Sequence, residues 1–349
     1  MKTDERWPFR AVREAGAAAG VSVEGAAVLR VGQCAVVALP AAGIVARVGR
    51  PGYPAERLDA ELRFARYVSG AGLPALAPAD GVSDRPLVTD QGPVTFWPLV
   101  HRIAGERNLE WLARTLRSLH DLPPPEGLVS LWDPVGRVEE RIALHAARAT
   151  ARDDHVSLLV AASAKARADL ARLRSTLGVR LVHGDPLNVL VAAGGPLLLD
   201  FDLAGIGPAE WDLVSVAVLQ RRFGLPREEL LRFCGAYGFD LGGWEDFEVL
   251  LSVRELLDCS FALAAIDADP RAEGELEVRL RAWLDPTDHS PWTSSGRMRA
   301  PAAPAPRARC RAHHPVLLKR DSEGDGWLAT ISSRSRARSP RRSPAGTTA

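Results

Sequence analysis

The sequence predicts an α+β protein with a β-rich amino-terminal part, a helical remainder and a tail of different composition. Three observations carry that prediction. Valine-rich runs crowd residues 26–50 and 85–97, apolar residues recur at helical spacing from residue 109 onward, and one island of strand interrupts the helices between 179 and 200. Strands first and helices afterwards argue against repeated βαβ units.

Composition bounds the possibilities. The chain has 349 residues, 46% hydrophobic and 25% charged, with a net charge of +1, the profile of a globular protein large enough for more than one structural unit. No uninterrupted run of 18 apolar residues suits a membrane span. The start, MKTDERWPFR, carries acids and lacks the apolar core of a secretory signal. Cys34, Cys234, Cys259 and Cys310 lie far apart without a CxxC pair, so a zinc site or disulfide scaffold is not expected and a reducing cytoplasm suits the chain.

The elements follow in order. AAVLRVGQCAVVALPAAGIVARVGR (residues 26–50) reads as two β-runs, the second after a Pro40-Ala41-Ala42-Gly43 turn. Gly32-Gln33 within the first run reads as a plain β-turn or as a loop over phosphates. After Pro51-Gly52-Tyr53-Pro54, residues Ala55–Gly70 read as a helix, with Leu58, Leu62 and Ala65 on one stripe. Short strands fit Arg85–Asp90 and Pro93–Trp97. Leu109–Leu122 carries Leu109, Leu112, Leu116 and Leu119 at helical spacing and stops at Pro123-Pro124-Pro125. Further helices are expected at Val135–Thr150, His155–Leu177, Asp212–Phe223, Arg227–Tyr237, Trp244–Ile266 and Glu273–Leu284. The island consists of VRLVHG, NVLV, a Gly194-Gly195 turn and PLLLD.

Charge is unevenly distributed. From His289 onward there are 12 basic and 3 acidic residues, a surplus of +9, in Pro-, Ala-, Arg- and Ser-rich sequence that cannot bury enough apolar surface to offset chain entropy. Disorder is expected there, and nucleic-acid retention by clustered arginines is the function such a tail could have alone. Between Gly205 and Asp288 the balance is 8 arginines to 17 acids, or −9, which would favour a cationic substrate unless it is simply a solvated helical surface. Trp211, Trp244 and Phe247 could line a pocket or fill a core.

The chemistry concentrates in LVHGDPLNVLVAAGGPLLLDFDLAGIGPAEWD, residues 181–212. Phosphoryl transfer needs a carboxylate to orient the attacking hydroxyl and oxygen ligands to hold Mg²⁺ on the phosphates. Asp185 closes one strand and Asp200 closes the following hairpin, so both can face one pocket. His183-Gly184-Asp185, Asn188 and Asp200-Phe201-Asp202, in that order, resemble the core of the aminoglycoside phosphotransferase family, small-molecule relatives of protein kinases. IVARVGRPG, the helix containing Glu61, VTFWPLV and LARTLRSLHDLPPP resemble family segments too, so the likeness spans roughly residues 20–285.

The resemblance implies a bilobal, protein-kinase-like fold: a nucleotide-binding lobe over residues 1–100, a helical catalytic and substrate lobe over 101–288, and the basic tail over 289–349. It implies Asp185 as catalytic carboxylate, Asp200 and Asn188 as Mg²⁺ ligands, and His183 as a packing residue. Asp212 would brace the catalytic loop from a helix start, where its charge suits the helix dipole. Arg47, paired with Glu61, would anchor phosphates, and the hinge at Trp97 and Leu99 would receive adenine. The implied reaction moves the γ-phosphoryl group of ATP or GTP to a hydroxyl of a small molecule; neither a membrane nor a nucleic acid is expected as main partner.

Two departures stand out. The family separates the catalytic Asp and Asn by five positions, whereas Asp185-Pro186-Leu187-Asn188 gives three, which raises a second reading as a nucleotide-binding protein with little or no turnover. Where kinases carry lysine the chain has Arg47, which pairs with phosphate through a planar fork. Bland alternatives stand beside these roles: Arg47 as a surface arginine, Glu61 and Asp202 as solvated carboxylates, Asn188 as a loop cap, and His120 and His145 as structural histidines.

Overall fold

The structure, a computed structural model, describes residues 6–103, 108–146, 153–266, 269, 271–285, 287–288 and 290–293. Strands β1 (Ala27–Val31), β2 (Cys34–Leu39), β3 (Ile44–Gly49), β4 (Leu87–Thr89) and β5 (Gly92–Pro98) form one antiparallel sheet in the order β1-β2-β3-β5-β4. Side-chain alternation gives it two faces. One carries Ala35, Val37, Ala46, Val48, Val94 and Phe96 and buries them against helix α1 (Trp7–Ala19) through Trp7, Ala11, Val12 and Ala15. The other holds the cross-strand row Val36, Arg47, Thr95. Helix α2 (Ala55–Gly70) begins and ends where its sequence signals place it.

Two features of this lobe differ from the sequence reading. The run before Pro40 is two strands rather than one, because Gly32-Gln33 turns the chain: the Gly32 N–H donates to the Cys34 carbonyl at 3.0 Å and Arg50 Nε to the Gly32 carbonyl at 2.6 Å. Helix α1 was not anticipated. Half of its buried positions, Ala11, Ala15 and Gly16, carry little or no side chain and give a weak apolar period, although Pro8 stands in its first turn.

The second lobe is helical: α3 (Leu109–His120), α4 (Pro134–Ala146), α5 (Asp153–Leu170), α6 (Glu210–Arg222), α7 (Arg227–Tyr237), α8 (Phe247–Ala265) and α9 (Arg271–Leu284). The Asn108 side chain accepts from the Trp111 N–H at 2.8 Å and caps α3, a contribution of about 1 kcal/mol. Helices α6 and α8 are buried on most of their surface, with Trp211, Val214, Leu250 and Leu256 wholly enclosed, and each such side chain stabilises the fold by about 1.5–3 kcal/mol. Beyond α9, Trp292 lies between the guanidinium groups of Arg222 and Arg279, each 5.1 Å from its ring centre. The arginine-rich stretch from 294 onward, with Cys310, lies outside the described residues. No helix among the described residues is long and apolar enough to cross a membrane.

The strand island lies between α5 and α6. Strand β6 (Val179–Val182) pairs with β9 (Gly205–Pro208), and β7 (Val189–Ala192) pairs with β8 (Gly195–Leu198), both antiparallel. Strand β9 was not anticipated, because Gly-Ile-Gly-Pro reads as a loop; its pairing with β6 makes it a strand.

Candidate active site

The island's topology brings two loops together. Residues 183–188 link β6 to β7 and residues 199–204 link β8 to β9; since β6 pairs with β9 and β7 with β8, the loops lie against each other. They touch at Gly184, whose φ is +86° and where a Cβ would come within 2.2 Å of the Leu203 carbonyl oxygen, so this position admits only glycine. The Leu199 N–H donates to the Asn188 carbonyl at 3.0 Å. Asn188, just before the hairpin, thereby neighbours Asp200, just after it.

The catalytic loop hangs from a buried carboxylate. Asp212, fully enclosed in the first turn of α6, accepts from the His183 N–H at 2.7 Å and the Gly184 N–H at 2.9 Å. His120 of α3 places Nε2 at 3.1 Å from the same carboxylate and Nδ1 at 2.7 Å from the Tyr237 hydroxyl. Trp211 donates Nε1–H to the Gly184 carbonyl at 2.7 Å, so it fills the core and steadies the loop without lining a pocket. His183 is buried with its ring 4.8 Å from Phe201; burial depresses its pKa, Asp212 and Asp185 opposing the shift. Asp185 emerges from this scaffold with Oδ2 accepting from Asn188 Nδ2 at 3.1 Å and Oδ1 facing Arg254 Nη2 of α8 at 3.0 Å.

On the opposing wall Arg47 reaches from β3 to Glu61 of α2 at 2.9 Å, to Asp200, and to Asp202 at 3.6 Å. The structure thus pairs Arg47 with Glu61, and Glu61 is only 2% exposed. Asp202 is no solvated loop carboxylate either: Arg137 of α4 donates to its carbonyl at 2.6 Å and stands 3.7 Å from its carboxylate. Asp200 is the one non-glycine among the described residues with positive φ, at 62°. That conformation costs of order 1–3 kcal/mol and gathers at functional sites. Burial alone would raise the Asp200 carboxyl, but Arg47 and Arg30, with His183, together outweigh it and hold the group below its usual range. Burial and the Asp200 charge push Asp202 the other way.

Burial also raises the Glu61 carboxyl to about 8, Arg47 opposing the rise and Asp200 and Asp202 adding to it. A carboxyl raised in the folded chain binds its proton more tightly than in the unfolded one. Its stabilising share is therefore complete below the ordinary value of 4.5 and is lost as pH climbs through about 8. Glu61→Gln should accordingly flatten the fall of the unfolding midpoint across that window; an equally steep fall in the variant would contradict the assignment.

The hinge is less simple than expected. Trp97 is buried, donating Nε1–H to Thr95 Oγ1 at 3.0 Å, and the Leu99 N–H is taken by the Gly43 carbonyl at 2.8 Å. Four acids of the helical lobe pair with arginines of the same segment: Glu255 with Arg222, Glu248 with Arg221, Asp258 with Arg254 and Glu275 with Arg279. Those arginines are already counted in the balance, so the surplus of −9 stands.

Sequence reasoning did not single out Arg30, Arg137 or Arg254. A β-bulge in β1 between Val28 and Arg30 sets Arg30 opposite Val36, in the same row as Arg47, and its charge helps to lower Asp200. No periodicity argument reveals such a bulge. For Arg254 a signal existed, an i,i+4 Arg–Asp pair inside a largely apolar helix.

For Mg²⁺ the described residues offer the Asp200 carboxylate and the Asn188 Oδ1, which points away from Asp185 because Nδ2 is turned toward it. Among the described residues no group of three or more His, Cys, Asp or Glu could hold an ion. Two protein oxygens completed by phosphate oxygens is a usual Mg²⁺ arrangement, and the residues fit it.

Several solved structures share this fold. The amicoumacin kinase hAmiN, solved with AMP-PNP, Ca²⁺ and Ami, shares the fold at a TM-score of 0.61 and 16% identity, over 83% of this chain and 96% of that one. An aminoglycoside phosphotransferase, APH(3'')-Id of Streptomyces rimosus, solved with ADP and streptomycin, aligns at 0.53 and 16%, over 73% and 99%. APH(2")-IIia, solved with GDP and kanamycin, aligns at 0.54 and 15%, over 81% and 100%. No curated protein sequence matches the chain. The profile of the phosphotransferase enzyme family matches residues 35–249, more than half of the sequence and including every site residue just described except Arg30 and Arg254, and the chain belongs to that family.

Proposed function

We propose that this phosphotransferase moves the γ-phosphoryl group of ATP or GTP to a hydroxyl of a small molecule. The observation that supports this best is the apposition of the two loops, which carries Asp185 and Asp200 on neighbouring segments with Arg47 held on Asp200. Asp185 accepts the hydroxyl proton as the acceptor oxygen bonds to the γ-phosphorus, and the bond from that phosphorus to the β-phosphate bridging oxygen breaks. Arg47, held by Glu61, exchanges its Asp200 contact for phosphate oxygens, and Arg30 lies on the same face of the sheet. Asp200 and Asn188 would hold Mg²⁺, which neutralises charge on the phosphates. Asp212, His120 and Trp211 hold the catalytic loop still, so little reorganisation is needed at the moment of transfer.

Incubation with γ-labelled ATP or GTP and a panel of hydroxylated amines, sugars and antibiotics tests the reading. Label on an acceptor supports it. Nucleotide binding without labelled product favours the inactive reading that the short Asp185–Asn188 spacing motivates. The net negative charge of residues 205–288 favours the cationic members of the panel.

A further inference from the structure

We propose that Arg254 is a positioning residue that fixes the orientation of the Asp185 carboxylate, a role that rests on the phosphotransfer reading above. A buried arginine between two helices would ordinarily be structural. Three observations take Arg254 further. Its Nη2 lies 3.0 Å from Asp185 Oδ1, while Asn188 Nδ2 binds Oδ2 at 3.1 Å, so the carboxylate is gripped on both oxygens by different elements. The arginine is itself anchored: Nη2 also meets Asp258 Oδ1 at 3.3 Å, Nη1 donates to the Gly184 carbonyl at 3.3 Å, and the guanidinium stands over the Trp211 ring at 6.0 Å. And the loop it serves is short. Only Pro186 and Leu187 separate Asp185 from Asn188, so Asn188 folds back onto Asp185 and the loop alone offers little to set the carboxylate's rotation.

From 69 positions away, Arg254 supplies the missing constraint. Two hydrogen bonds from opposite sides define the plane of a carboxylate, whereas one leaves it free to turn. A base rotated out of line with the incoming hydroxyl can lose about 10²-fold in rate without any change in nucleotide binding. Asp258 completes the arrangement by holding Arg254 in place and sharing its charge, so that Asp185 is oriented without being the sole counter-ion.

A double-mutant cycle tests this, with Mg·ATP and water as the acceptor so that no acceptor need be known. Arg254→Lys keeps the charge and loses the fork; it should lower kcat by about 10–100-fold and leave the KM for ATP within about twofold. In an Asp185→Asn background the same change should cost less than about threefold, because the group it positions is already disabled. Asp258→Asn, which loosens Arg254, should show the same coupling and serves if Arg254→Lys folds poorly. Equal losses in both backgrounds, or a loss confined to KM, would overturn the proposal. Absence of turnover in the wild-type chain with water and with every acceptor of the panel would instead remove the phosphotransfer reading, and the positioning role with it.

Discussion

Asp185→Ala should lower turnover by about 10²–10⁴-fold, the range for a positioned acid–base group, while ATP affinity stays within about twofold. The loop backbone does not depend on this carboxylate, because Asp212 holds the His183 and Gly184 N–H groups and Trp211 holds the Gly184 carbonyl. Removing Asp185 should therefore subtract the proposed proton acceptor and leave the loop standing. Arg254 loses one counter-ion and keeps Asp258, so the fold should survive. The check is kcat measured beside calorimetric titration with ATP; unchanged turnover would remove Asp185 from the mechanism.

Asp212→Ala should act through stability as well as rate. This carboxylate is fully enclosed and serves two backbone N–H groups and His120. Alanine would strand three polar groups where water cannot replace their partner, at a cost of about 3–5 kcal/mol. The catalytic loop would lose its anchor together with its β6–β9 register, so turnover should fall at least as far as in Asp185→Ala. Urea unfolding measures the first effect. A loss below about 1 kcal/mol would mean that the loop is held by something other than Asp212.

The parts of the site that the sequence made legible are those where chemistry is local. His183-Gly184-Asp185, Asn188 and Asp200 fall within 18 residues, and one hairpin brings them together, so motif order and strand pattern sufficed. The pairing of Arg47 with Glu61 was readable from charge and from the resemblance. What was hidden depends on register or on distance. Arg30 shares the row of Arg47 because of a bulge, Arg254 meets Asp185 from another helix, and β9 is a strand only by virtue of its neighbour. A charge count carries the surplus but not its placement: it cannot show which acids face an arginine, as Glu248, Glu255, Asp258 and Glu275 do. Solvated-carboxylate defaults for Glu61 and Asp202 failed likewise, since both are drawn in by Arg47.

That Asp185 and Asp200 serve a single cation-and-triphosphate cavity is tested most directly by titrating ATP into the wild-type chain and Asp200→Ala, each with and without Mg²⁺. Mg²⁺ should tighten ATP binding to the wild-type chain, and Asp200→Ala should abolish that gain while retaining metal-free binding. An equal gain from Mg²⁺ in both proteins would place the cation elsewhere and contradict the account.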